Sequence, residues 1–234
     1  VVDDLSKRID VLAGWLFESK YLVVFTGAGI STESGLRDFR GPDGLWTRRD
    51  KGLGTPRQDF SGAKPNSGHA AITGLQNLGK LKFLISQNVD NLHLKSGINP
   101  DRLAELHGNL TKVRCEECQF KMDRMEGERE CPLCGGNLVS TVVDFGMSLP
   151  EKDLMESYEH SRKCDLFVVV GSSLVVYPAA DMPRVALQAG ARLVIINQGE
   201  TPFDDQADLR FIEAIGEILP PAVARLRRLL KQKS

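Results

Sequence analysis

An excess of charge of either sign is missing from this chain, and so is any long apolar run. Thirty Lys and Arg face 31 Asp and Glu, for a formal net charge of −1. That balance removes the electrostatic footprint of a general nucleic-acid or membrane-surface binder. No apolar stretch approaches the ~20 residues that span a bilayer. The opening "VVDDLSKRIDVLAGWLFESK" has no apolar signal core and no small-residue cleavage site, so the expectation is a cytoplasmic chain. Repeats and low-complexity tracts are missing too. Cysteine is scarce, and its count of five is odd, which weighs against a secreted disulfide framework. What remains is a chain of 234 residues, 41% apolar and 26% charged. That suffices for one large domain, or one domain with a small insert, around a sizeable core.

The apolar residues come in short bursts. Leu5, Ile9, Leu12 and Leu16 recur at helical spacing and predict an amphipathic helix over residues 3–19. "YLVVFTG" (21–27), "LKFLISQN" (81–88), "CDLFVVVGSS" (164–173) and "ARLVIINQ" (191–198) are continuous apolar runs rather than alternations. Strands of a parallel sheet, buried on both faces, read this way. "YPAADMPRVALQAG" between the last two is a crossover of helix length. This βαβ rhythm predicts an α/β fold with an open, doubly wound, Rossmann-like parallel sheet. Two segments break it. Residues 42–66 are rich in Gly, Pro, Lys and Arg without a period, so a functional or mobile loop is expected. Residues 112–142 hold two cysteine pairs and read as a small insert. "AVARLRRLLKQKS" closes the chain as a basic amphipathic helix packed on the domain.

Four motifs carry chemistry, each beside a plainer reading. Gly27-Ala28-Gly29 follows a strand, where glycines allow a tight turn and close backbone approach to a pyrophosphate. A plain strand-to-helix turn is the alternative. A dehydrogenase fingerprint would have glycine where Thr32 stands, and no strand with a terminal acid follows at the right distance. Cys115/Cys118 and Cys131/Cys134 are C-x2-C pairs twelve residues apart. Four thiolates at that spacing close a tetrahedron around zinc with no open position, so the metal is structural; unliganded reduced thiols are the alternative. Gln87, Asn88 and Asp90 follow the second strand, and His107 stands beside a glycine. Ligands bind beyond strand carboxyl ends in such sheets, and a histidine there can act as a base. A capping or core histidine is the plainer option, and is the reading for His69 and His160. Gly171, Ser172 and Ser173 offer N–H groups and hydroxyls to a phosphate, and Asn197 and Gln198 suit a ribose or adenine.

Taken in order, GAGIS, DFRG, QNVD, HGN, the cysteine pairs, FG, GSSL and VIIN resemble the sirtuins, NAD-dependent protein-lysine deacylases, over residues 10 to 220. The short connections are similar to compact microbial members. The resemblance implies a Rossmann-like domain (1–41, 80–111 and 143–234), a cofactor loop and helical segment of a small domain (42–79), and a zinc ribbon (112–142). NAD would lie in the cleft between domains, under a loop holding Gly27, Ala28, Gly29, Thr32, Asp38, Phe39 and Arg40. Asp38 would fix that loop and Arg40 would offer charge to phosphate. Gln87, Asn88 and Asp90 would hold the nicotinamide ribose and carboxamide. Gly171, Ser172, Ser173, Asn197, Gln198 and Ala214 would line the pyrophosphate and adenosine end. Val143, Phe145, Gly146 and Val175 would surround an acyl-lysine arriving on an extended peptide. Catalysis would fall to His107 and Asn88. The implied products are nicotinamide, O-acyl-ADP-ribose and free lysine.

Four features depart from the usual sirtuin pattern. Arg37 stands where the family usually has proline, which implies a freer loop backbone. The segment from Trp46 to Pro65 is short, as in a branch of nuclear, chromatin-directed members, some accepting long acyl chains. Met147 replaces a common Glu. No Tyr-x-x-Arg pair is present to select succinyl or malonyl lysine, so acidic acyl groups are not expected. Mono-ADP-ribosyl transfer and an NAD-sensing binding module are the competing readings.

Overall fold

The computed structural model describes residues 4–233. The expected first helix is α1, Leu5–Glu18, with the Asp4 side chain accepting the Ser6 N–H as its cap; residue 3 lies outside the described residues. The chain then runs through β1 (Leu22–Thr26), a 3-10 turn (Ala28–Ser34), α2 (Leu45–Asp50), α3 (Ser67–Asn77), β2 (Leu81–Ser86), α4 (Leu92–Lys95) and β3 (Leu103–Glu105). Next come β4 (Lys112–Cys115), β5 (Lys121–Asp123), β6 (Leu138–Ser140), α5 (Glu151–Lys163) and β7 (Leu166–Val170). The last elements are α6 (Met182–Gln188), β8 (Arg192–Ile196), β9 (Leu209–Phe211) and α7 (Ile215–Lys233).

Six strands form one parallel sheet in the order β3-β2-β1-β7-β8-β9. Numbered within this sheet alone, that is the Rossmann order, reversing direction between β1 and β7. The continuous apolar runs have a clear cause. In β1, Leu22 and Val24 join a core with α1, α3 and α7, while Val23 and Phe25 join a second core with α6. Strands β7 and β8 divide the same way, Val168 and Val194 on one side, Val169 and Ile195 on the other. Side chains alternate between faces, and both faces are covered, so consecutive interior positions are apolar. Each fully buried Leu, such as Leu12 or Leu16 of α1, contributes about 1.5–3 kcal/mol by its transfer from water.

The cysteine segment forms its own antiparallel sheet, β5-β4-β6. Residues 42–66 are irregular except for α2, a single short helix with no buried residue. The closing helix starts at Ile215, earlier than its basic stretch, and carries Pro220 and Pro221 inside it. Among the described residues, no helix is long and apolar enough to cross a membrane.

Candidate functional site

One cleft of about 890 Å³ opens beyond the carboxyl ends of β1, β2, β7 and β8. It reaches from the β1–β7 reversal point to the segment after β6. Every residue expected above to touch cofactor, acyl-lysine or proton lines this single space. The four cysteines do not.

The glycines at the reversal point serve backbone contact. Gly27 N–H donates to the Val170 carbonyl at 3.1 Å and Gly29 N–H to the Gly171 carbonyl at 2.8 Å. A Cβ on Gly27 would lie 2.8 Å from the Gly171 oxygen, and one on Gly171 would lie 2.3 Å from the Ile30 nitrogen. Gly171 also has φ +66°, which only glycine adopts without strain. The two turns are therefore pressed together, with their remaining surface facing the cleft.

The tautomer of His107 is set by the main chain. His107 Nδ1 lies 3.0 Å from the Gln87 carbonyl oxygen. A carbonyl can only accept, so Nδ1 carries the hydrogen and the neutral ring keeps its lone pair on Nε2. Burial pushes the His107 pKa below the usual histidine range, opposed by the bond to Gln87. The neutral form is favoured. The Gln87 side chain meanwhile accepts the Ser172 hydroxyl at 2.7 Å, tying the ends of β2 and β7.

Beside it lies a buried polar cluster. Ser31 Oγ donates to Asp90 Oδ2 at 2.6 Å, and Leu92 N–H donates to Asp90 Oδ1 at 2.9 Å. Asn88 is buried, and its Oδ1 has no partner among the described residues. An orphaned buried acceptor costs about 1–3 kcal/mol, which a bound donor at Oδ1 would relieve. His69 and His93 are also buried, with ring centroids 5.1 Å apart and one nitrogen each unpartnered. His93 Nε2 bonds the Thr26 hydroxyl, 2.9 Å, and His69 closes the cap of α3 with Asn66.

The loop after Gly35 is held more firmly than its composition implies. Asp38 Oδ1 accepts the Gly41 N–H at 3.0 Å, and burial raises its carboxyl pKa against that bond. A Cβ on Gly41 would meet Asp38 Oδ2 at 2.3 Å. Arg37, the departure from proline, uses the N–H that proline lacks. It donates to Gln58 Oε1 at 2.6 Å, while Gln58 Nε2 donates to the Arg37 carbonyl at 3.2 Å. The Arg37 guanidinium also pairs with Asp43. The backbone freedom implied by losing proline is taken up by Gln58. Farther along, Arg40 lies over the Trp46 ring, 4.5 Å from its centroid. Trp46 also touches Phe39 (5.2 Å) and Phe145 (5.6 Å), so one indole bridges both lips of the cleft. Phe145, Met147 and Val175 leave an apolar rim open to solvent.

Ser31, Trp46 and Gln58 are cleft residues that sequence reasoning missed. Ser31 stood inside the GAGIS motif and could have been found; Trp46 and Gln58 act across elements and gave no local signal.

The metal site fits its expected occupant. Cys115 and Cys134 Sγ are 3.5 Å apart, Cys118 and Cys131 Sγ 3.6 Å, and all four lie within 4.8 Å of one another. Tetrahedral Zn–S bonds near 2.3 Å put sulfurs about 3.8 Å apart. The tetrad braces β4, and β6 leads into Thr141, whose hydroxyl accepts the Asn109 N–H at 3.0 Å. Val143 N–H then donates to the His107 carbonyl at 3.0 Å. Gly108 between them has φ +78°, and a Cβ there would lie 1.9 Å from the Thr141 oxygen.

The sequence matches the Sir2 family over residues 27–61 and 55–178. The chain belongs to that family. It is similar to NAD-dependent protein deacetylase 1 of Bradyrhizobium diazoefficiens, 40% identical across 95% of this chain and 98% of that one. Similarity to NAD-dependent protein deacylase 2 of Archaeoglobus fulgidus is 41%, across 99% of both. Among solved Sir2 structures, one bound to a myristoylated histone peptide is 38% identical, with TM-score 0.73, covering 97% of this chain and 99% of that one. Its Sir2 membership thus extends from the glycine turn through the cysteine tetrad, and the fold and cleft agree with it.

Proposed function

We propose that this Sir2 protein is an NAD-dependent protein-lysine deacylase acting in the cytoplasm, where reduced thiolates persist for a zinc tetrad. The observation carrying the reading is His107, held as a neutral Nε2 base in the cleft that also contains the paired glycine turns and Val143–Gly146. When bound, NAD supplies the nicotinamide–ribose bond that breaks and the ribose hydroxyls that receive the acyl group. With one water, the balance is acyl-lysine plus NAD to lysine, nicotinamide and O-acyl-ADP-ribose.

The chain's own groups divide the work. Gly27, Ala28, Gly29 and Thr32 form one side of the phosphate turn, and Gly171, Ser172 and Ser173 the other, with Arg40 as the nearby cation. Asn197, Gln198 and Ala214 take the adenosine end. Asn88 Oδ1 and the Asp90 carboxylate accept hydrogen bonds from the nicotinamide carboxamide and its ribose. Phe39 and the Asp38 loop exclude water, which strengthens each of these contacts. Val143, Phe145, Gly146 and Val175 hold the acyl-lysine and its peptide. His107 Nε2 takes the proton from a ribose hydroxyl, as a base whose lowered pKa keeps it unprotonated. Cys115, Cys118, Cys131 and Cys134 hold zinc away from these events. The apolar rim of Phe145, Met147 and Val175 suits aliphatic acyl groups, including long ones, as in the solved relative with a myristoylated peptide.

The test is incubation with NAD and acetyl-, myristoyl- and succinyl-lysine peptides, reading nicotinamide and peptide mass. Loss of the acyl group with matching nicotinamide supports the reading. Peptide gaining ADP-ribose instead would make the protein a mono-ADP-ribosyltransferase. NAD retained without nicotinamide release would make it an NAD-sensing binding module.

A further inference from the structure

Arg210, on the edge strand β9, does not line the cleft, yet its side chain grips the loop that does. Nη1 donates to the Asn197 carbonyl at 2.5 Å and also to the Phe211 carbonyl. Nη2 donates to the Gly199 carbonyl at 2.6 Å. Nε pairs with Asp204 Oδ1 at 2.9 Å, and that oxygen also accepts the Thr201 hydroxyl at 2.6 Å. One planar fork thus collects three backbone carbonyls and a carboxylate at the end of β8, a pattern the single ammonium of lysine cannot reproduce.

The consequence follows from peptide geometry. The only cis bond among the described residues is Tyr177–Pro178, so the 197–198 and 199–200 peptides are trans. In a trans peptide the carbonyl and the next N–H point in opposite directions. With the Asn197 and Gly199 carbonyls turned to Arg210, the Gln198 and Glu200 amides point away from it. Among the described residues neither N–H has a partner, and both residues line the cleft. We propose that Arg210 is a positioning residue that fixes two backbone N–H donors for the adenosine end of the dinucleotide, where ribose oxygens or ring nitrogens accept them. The proposal rests on the NAD reading above. Arg8 steadies the arrangement from α1, donating to the Arg210 carbonyl at 3.0 Å and pairing with Glu213.

The experiment compares wild type, Arg210→Ala and Arg210→Lys by calorimetric titration with ADP-ribose, steady-state kinetics, nicotinamide inhibition and thermal unfolding. Losing one or two oriented hydrogen bonds weakens ADP-ribose about 10- to 100-fold in Arg210→Ala. The same factor is expected in KM for NAD, with kcat, peptide KM and nicotinamide inhibition within about twofold, since the other end of the cleft is untouched. Arg210→Lys keeps a cation near one carbonyl and falls in between. Unchanged ADP-ribose affinity in Arg210→Ala overturns the proposal and leaves the NAD reading intact. So does a parallel fall in kcat, peptide binding and Tm in both variants, which marks a residue that only holds the fold. Wild type failing to bind ADP-ribose at all overturns the NAD reading and this proposal with it.

Discussion

Lowering pH should destabilise this protein through two buried histidines, His69 and His93. His69 and His93 are buried side by side. Burial lowers the His69 pKa to about 4, partly offset by the nearby Asp90 carboxylate. Burial also lowers His93 to about 3, with repulsion from a protonated His69 adding to it. Unfolded, both return to about 6.5. A base whose folded pKa is depressed stabilises the fold fully above the unfolded value, and that stability is lost as pH falls through the window below. At pH 5 the unfolded chain gains nearly 1.5 pH units of proton binding at each ring that the folded chain refuses. At 1.36 kcal/mol per unit that is about 2 kcal/mol each, or about 4 kcal/mol for the pair. Set against about 5–15 kcal/mol for a typical domain, this is a large share. The raised carboxyls of Asp38 and Glu105 work in the other direction, gaining stability as pH falls. Urea unfolding at pH 8 and pH 5 gives the net effect, and NMR titration of the four histidine rings isolates the cause. Two rings should stay neutral to about pH 4.5 while the protein remains folded. Midpoints near 6.5 for all four would refute the reasoning.

Other outcomes follow from the same geometry. His107→Ala should abolish deacylation and leave ADP-ribose binding measurable by titration; near-normal turnover would remove His107 from the chemistry. Because the His107 pKa is lowered in the free protein and the proposed base acts in its neutral form, the acid limb of kcat/KM should fall below pH 6.5 in a pH–rate profile. Zinc removal by a chelator, or Cys131→Ser, should lower Tm and activity together, since β6 leads to the strap that bonds the His107 carbonyl; full activity in metal-free protein, checked by elemental analysis, contradicts this. Gln58→Ala removes both bonds to the Arg37 peptide, about 0.5–1.5 kcal/mol each. It should raise KM for NAD several-fold with little change in Tm, whereas the same KM as wild type would mean the loop is held elsewhere.

Much of the fold was legible because its signals are local. The four apolar runs are strands β1, β2, β7 and β8, and their lack of alternation followed from cores on both faces. Strands β3 and β9 escaped, since three residues are too few for a period. Helix α5 escaped for a different reason: its buried positions include Asp153, Ser157 and Ser161, so no apolar stripe marks it. Within the cleft, residues at strand ends could be read from position and chemistry. Gln58 and Trp46 could not, because each acts on residues in other elements, out of reach of any local pattern. The Arg37 departure looked like a loosening only because its partner lay 21 positions away.

The acceptor that fixes the His107 tautomer belongs to the peptide unit of residue 87, not to any side chain. Replacing Gln87 would cut its tie to Ser172 and spare that acceptor. Chemical identity at this position can therefore drift without reassigning which ring nitrogen stays bare, provided the end of β2 keeps its course. The address of that ring's proton is written in the path of the main chain.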